Sequence, residues 1–228
     1  MERKRLLITL LVLTVAAGGA VYLLKALRSD NYSQNSMSNN VSRISPAPSA
    51  APSAAYYYPI SDYTGRLKIR WYGKYLTAEN ISEVPCGRVF IGYHTGDDLE
   101  TTPAEANRQI PVYSIGNGKI LQVGHVDGYG GLIVGEYNLA GEQTTVYYGH
   151  INLRSALVRP GDLVSPGQKL ADLGAACSAQ TDGERKHLHF AIHKGPGIDV
   201  RGYVPTAGEL SSWLNPSAEL KTLDAVKD

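Results

Sequence analysis

A mainly β domain of antiparallel strands, preceded by one N-terminal membrane-spanning helix, is the fold class predicted by this 228-residue sequence. Three observations predict it. From Tyr56 onward apolar and polar residues alternate with period two in short runs, and pairs such as Asp-Gly and Pro-Gly separate those runs. Helical periodicity is scarce, limited to turns near Pro103–Arg108 and Gly208–Leu214. Residues 6–24 form an uncharged apolar run of about nineteen residues, enough to cross a bilayer core as one helix.

Taken in order, residues 1–28 read as a membrane anchor. Arg3, Lys4 and Arg5 precede the apolar run and Lys25 and Arg28 follow it, a modest bias toward a cytoplasmic N-terminus. The rival reading is a cleaved signal peptide ending in the small residues Ala17 to Ala20; the continuation through Val21-Tyr22-Leu23-Leu24 favours a retained single-pass anchor. Either way the remainder is exported. Residues 29–55, with eight serines, four asparagines and three prolines, have little to bury and read as a disordered linker. As a flexible coil it would hold the C-terminal domain about 30 Å from the cytoplasmic membrane.

Residues 56–228 then form the domain. Its first pattern sets Leu67, Ile69 and Trp71 against Arg66, Lys68 and Arg70, predicting a half-buried strand with a basic outer face. Pro111–Ile115, Gly116-Asn117-Gly118 and Lys119–Val123 predict a hairpin, and Asp127-Gly128 predicts a turn before Tyr129–Val134. Turns at Pro160-Gly161-Asp162 and Pro166-Gly167-Gln168 bracket Leu163 and Val164. That segment also occurs in lipoyl-type carrier domains, but Lys169 lies inside the strand pattern rather than at a hairpin tip. With a net charge of +1, composition gives no support to a nucleic-acid partner.

The chemistry concentrates in Lys186–His193. Leu188, Phe190 and Ile192 alternate with His187, His189 and His193, so one strand would carry an apolar face and an imidazole face. Three imidazoles on one face need hydrogen-bond partners or a metal. His94 and Asp98 stand four apart on a segment that reads as a loop because of Gly96 and Pro103, and His150 ends the run Val146–Gly149. Catalytic zinc usually takes three nitrogen or oxygen ligands and leaves a fourth position open; His94, Asp98 and one of His187 and His189 provide them. No HExxH motif offers a glutamate base, so proton transfer falls to the remaining histidines.

The ordered set of HxxxD, Tyr-x-His and HxH followed by an aromatic, with Gly-Asp and Gly-Gln turns between, resembles the lysostaphin-type (LytM-domain) zinc metalloendopeptidases over most of residues 57–204. The resemblance implies a zinc-binding groove on an antiparallel sheet, zinc ligated by His94, Asp98 and His189, and His187 as general base. It implies further that His150 supports the water and the developing oxyanion. The activity implied is hydrolysis of peptide bonds in bacterial peptidoglycan stem peptides or cross-bridges, by a domain outside the cytoplasmic membrane. The alternative is a non-catalytic wall-binding or amidase-activating module of the same fold, against which the complete ligand set speaks. Tyr72-Gly73-Lys74-Tyr75 is similar to the family's early aromatic-Gly segment, though less closely, and the polar loop Ala175–Arg185 would wall the groove.

Other candidates rank lower. His193 lies two pleats from His187 and reads as a rim residue, His125 as part of a turn, Asp97 as a poorer match to the ligand spacing, and Glu184 as a surface loop charge. Cys86 and Cys177 precede the two halves of the site; in an exported domain they either form a bridge or stay as two buried free thiols.

Overall fold

The structure is a computed structural model and describes residues 56–79 and 86–225. The predicted span at residues 6–24 and the linker lie outside these. Among the described residues no helix is long and apolar enough to cross a membrane.

The first described segment corrects the sequence reading. Residues 66–71 form no strand, and Lys68 makes an isolated bridge to Leu99. The faces are also inverted: Leu67 and Trp71 are 67% and 52% exposed, whereas Arg66 and Arg70 are 8% and 1% exposed. A buried guanidinium needs an anion. Arg66 finds Glu105, donating from Nη1 and Nη2 at 2.9 and 2.8 Å, and Arg70 Nη1 donates to Glu184 Oε2 at 3.3 Å. These long-range ion pairs override the period-two preference.

The Arg66 fork sets a limb of the acid stability. Its hydrogen bonds pull the Glu105 carboxyl down to about 2 from the ordinary 4.5, against the opposing effect of burial. A folded-state pKa below the unfolded one stabilises the protein above pH 4.5, and the contribution is lost as pH falls toward 2. The carboxylate is still partly solvated, so screening leaves about 1 kcal/mol. Glu105→Gln is expected to flatten the stability curve in that window, measured by urea unfolding at stepped pH.

Strand β1 (Tyr75–Leu76) pairs with β2 (Gly92–His94), and after Thr95 the chain runs straight into β3 (Gly96–Glu100). His94 to Asp98 is thus extended strand, not the predicted loop. Gly96 serves close approach rather than a turn: a Cβ there would lie 2.4 Å from the Phe190 carbonyl oxygen. Gly96→Ala is expected to push the strands apart at a cost of about 1–3 kcal/mol, read as a lowered urea midpoint.

β4 (Pro111–Tyr113) and β5 (Gly118–Val126) flank the predicted Gly116–Gly118 turn, yet they do not pair with each other. The edges of β5 are taken by β6 (Gly130–Leu139) and, further along, by β9 (Leu163–Val164). The Asp127-Gly128 turn does join β5 to β6, with Gly128 at φ +86°. β7 (Glu142–Gly149) continues the meander, and β8 (Ile151–Asn152) pairs with β10 (Lys169–Leu173), which takes β4 on its other side.

The histidine strand is β11 (His187–Lys194), followed by β12 (Tyr203–Val204), α1 (Ala207–Leu210), β13 (Trp213–Leu214) and α2 (Pro216–Thr222). Helix α2 lies beyond the helical turns expected from sequence, although its signals are present: the Asn215 side chain accepts from Ala218 N, and Pro216 opens the first turn. The largest sheet runs β13-β11-β7-β6-β5-β9 with β3 beside β11, and two three-stranded sheets run β1-β2-β12 and β4-β10-β8. All these ladders are antiparallel. Leu188, Phe190 and Ile192 enter the main core with Ile133, Val146 and Tyr148, which commits the other face of β11 to the histidines.

Candidate metal centre and groove

Register builds the centre. β11 lies between β7 and β3, with His189 opposite Gly149 on one side and Asp98 on the other, and with His187 opposite Glu100. Directly opposed residues on neighbouring strands share a face, so His189 meets Asp98. β2 ends one residue before β3 begins and delivers His94 to the same place. His150 follows the last residue of β7 in the left-handed region, at φ +63°. That conformation is uncommon for a residue with a Cβ.

His94 Nε2 stands 3.0 Å from His189 Nδ1 and 3.2 Å from Asp98 Oδ1, and His189 Nδ1 stands 3.1 Å from Asp98 Oδ1. All three residues are buried. Tetrahedral zinc with ligand bonds of about 2.0–2.1 Å places its ligand atoms about 3.3–3.4 Å apart, so this triangle fits such an ion with little adjustment. Two imidazole nitrogens and one carboxylate oxygen are also the donor types zinc accepts. Among the described residues this is the His/Cys/Asp/Glu group whose ligand atoms lie close enough to hold an ion. Burial lowers the His189 imidazole to about 4, so at neutral pH it is neutral and has a lone pair to give. Burial raises the Asp98 carboxyl, but the neighbouring His187, His94 and Arg185 outweigh it and hold it well below the usual range.

His187 stands beside this triangle. Its Nδ1 lies 2.9 Å from the Arg185 carbonyl oxygen, which can only accept, so Nδ1 carries a proton and Nε2 is the nitrogen left to face the centre. Nε2 lies 3.3 Å from Asp98 Oδ2, on the centre side of the ring. The His150 ring centroid is 4.3 Å from that of His187. Burial and then His187 push the His150 imidazole well below its ordinary value, keeping it neutral, and its Nδ1 has no partner among the described residues.

The five site residues predicted from sequence are therefore brought together. His193 is not among them: it packs edge-on against Trp213 with centroids 4.8 Å apart. Asp97 points elsewhere, accepting from Tyr72 N at 2.9 Å and Ser217 Oγ at 2.5 Å. His125 lies in β5 rather than in a turn, with its side chain 52% exposed.

Glu184 departs furthest from expectation. It is 1% exposed, and its Oε1 accepts from the Arg88 amide at 2.5 Å while Oε2 accepts from Arg185 Nη1 at 3.1 Å. Arg185 in turn donates from Nη2 to Asp98 Oδ2 at 2.8 Å and from Nε to both Glu100 oxygens. A buried charged network thus fixes the carboxylate that faces His94 and His189. Sequence reasoning missed Arg70, Arg185 and Tyr129, which no local pattern sets apart: Arg70 meets Glu184, and Arg185 meets Asp98 and Glu100, only through the fold.

The histidines open onto a cavity of about 200 Å³ whose wall includes Arg70, Phe90, Tyr129, Glu184 and Tyr203. Burial raises the Tyr129 hydroxyl well above its ordinary value, so it stays protonated. Cys86 and Cys177 form a disulfide. The bridge fastens the segment that carries Arg88 and Phe90 to the loop that carries Asp182 and Glu184, where Arg88 also pairs with Asp182.

Residues 92–200 match the family model described as Peptidase family M23. The chain is 34% identical over 125 residues to the uncharacterized lipoprotein YgeR of Escherichia coli (strain K12), covering 54% of this chain and 46% of that protein. It is 33% identical over 120 residues to the peptidoglycan DD-endopeptidase ShyB of Vibrio cholerae serotype O1, covering 52% of this chain and 25% of that one. The match thus spans less than half the length of either relative. The fold is similar to the solution structure of lysostaphin, with TM-score 0.50 and 23% identity over 76% of this chain and 58% of that one.

Proposed function

Residues 92–200 of this chain are a LytM-type domain of peptidase family M23, and from that premise we propose a membrane-anchored zinc metalloendopeptidase hydrolysing peptide bonds of bacterial peptidoglycan. The single observation that carries the reading is the buried His94/Asp98/His189 triangle with His187 beside it, its Nδ1 held by the Arg185 carbonyl. A non-catalytic module has no need of that base. The named activity of ShyB supports peptidoglycan peptides as the substrate class, and the lipoprotein name of YgeR supports a place in the envelope.

In this reading His94 Nε2, Asp98 Oδ1 and His189 Nδ1 hold the ion. Zinc there would supply Lewis acidity, polarising the scissile carbonyl and making a water acidic enough to attack near neutral pH. His187 Nε2 takes the proton of the attacking water while Nδ1 stays donated to the Arg185 carbonyl. As the carbon–nitrogen bond breaks, the same nitrogen returns the proton to the leaving amine, so one water is consumed and no net proton is moved. Neutral His150 donates a hydrogen bond to the negative oxygen that develops on the carbonyl. Arg185 keeps Asp98 oriented throughout.

Digestion of purified peptidoglycan, with the new amine and acid ends identified by mass spectrometry, tests the activity. Paired new ends from the parent and none from His187→Ala are expected. Wall that is bound but left uncut would turn the reading to the non-catalytic module. The domain division at residues 28 and 55 and the single-pass topology belong to the same proposal. N-terminal sequencing of protein from the native host is expected to find the span at residues 6–24 uncleaved in the membrane fraction; a new N-terminus near Ala20 would replace the anchor with a signal peptide.

A further inference from the structure

Arg70 brings to the groove a hydrogen-bonding capacity that its neighbours leave unused. It is 1% exposed and lines the same cavity as His150, His187 and His189. Nη1 donates to Glu184 Oε2 at a long 3.3 Å, and among the described residues Nε and Nη2 have no acceptor. Glu184 divides its oxygens among other donors, Oε2 being shared with Arg185 and Oε1 accepting from the Arg88 amide. The Phe90 ring, 5.7 Å from Arg70 Cζ, offers a π face to the cation but no lone pair for those donors. Buried donors of a charged group are costly to leave unmet, and a group that persists in that state beside a cavity calls for an acceptor arriving from the cavity.

We propose that Arg70 is a specificity-determining residue of the groove, whose Nε/Nη2 fork binds a free carboxylate of the substrate peptide near the scissile amide. Nε and Nη2 share one edge of the planar guanidinium, the geometry that meets the two oxygens of a carboxylate side-on. The other cation of the cavity wall, Arg201, is already committed, donating to Asp199 at 2.6 Å and to Glu209 at 3.0 Å. The half-buried Phe90 ring packs over the guanidinium and stacks on Tyr203 at 4.7 Å, so the incoming carboxylate turns this ring aside. The inference rests on the peptidoglycan reading, since wall stem peptides carry free carboxylates beside their amide bonds and also occur with those carboxylates amidated.

Calorimetric titration of full-length protein with a stem tetrapeptide, and with versions amidated at each carboxylate in turn, tests it without requiring cleavage. The parent is expected to bind the free acid at least tenfold more tightly than one of the amides. Arg70→Gln should bind that pair equally, with the affinity for the amide unchanged. Arg70→Lys, which keeps the charge beside Glu184 but not the fork, should retain only part of the preference. Equal binding of all forms by the parent, or a full preference in either variant, overturns the assignment; if Arg70→Gln does not fold, Arg70→Lys decides. A carboxylate preference in binding together with uncut wall would sink the hydrolase reading and leave this one standing.

Discussion

Replacing His189 with alanine is expected to empty the centre of metal and abolish hydrolysis together, because the remaining His94 and Asp98 are too few to hold zinc. His187→Ala and His150→Ala are expected to behave differently. Each should keep close to one metal per chain and lose on the order of 10²-fold or more in turnover, the size of a positioned acid or base. His193→Ala, whose ring packs on Trp213 outside the cluster, should match the parent. Metal content measured beside rate for the four variants checks this. A His187→Ala protein free of metal, with His189→Ala still loaded, would exchange the roles of the pair.

Removal of the Cys86–Cys177 bridge should cost about 4 kcal/mol on the chain-entropy account, since it closes a loop with a sequence separation of 91. The Cys86→Ser/Cys177→Ser protein should therefore unfold at a markedly lower urea concentration than the parent. Its metal content should hold while KM rises, because the segment bearing Arg88 and Phe90 is loosened and the ligand triangle is untouched. Thiol titration of the unfolded, unreduced parent should find no free thiol; two would remove the bridge and this expectation with it.

The histidine strand, its core-facing partners and the Asp127-Gly128 turn are legible in the sequence because each is a local pattern: a period of two, or a dipeptide suited to a tight turn. The five candidate site residues stand out as an ordered set of chemically rare groups, and their separate roles come from the resemblance that this set carries. What escapes depends on partners remote in sequence. Arg66 to Arg70 alternate with apolar residues as a solvated strand would, and it is Glu105, 39 positions beyond Arg66, and Glu184, 114 beyond Arg70, that turn that face inward. Glu184 reads as a loop charge for the same reason. The pairing of β4 with β10 rather than β5 likewise depends on strands that compete for the edges of β5. Gly96 stands out in the sequence, but its role lies in the backbone of β11 opposite, which no local pattern reports.

The ladder between β3 and β11 carries a consequence for how the chain acquires its chemistry. It joins residues about ninety positions apart, from His187 opposite Glu100 to Ala191 opposite Gly96, whereas β5, β6 and β7 pair with their immediate neighbours in sequence. Closing so long a loop costs entropy before any contact rewards it, so the meander can be nucleated from local turns while this ladder waits for most of the domain. A chain that has formed only its meander holds His94 and Asp98 apart from His187 and His189. The ligand triangle is then assembled in one step with the native state, and a newly made or partly unfolded molecule has no completed centre.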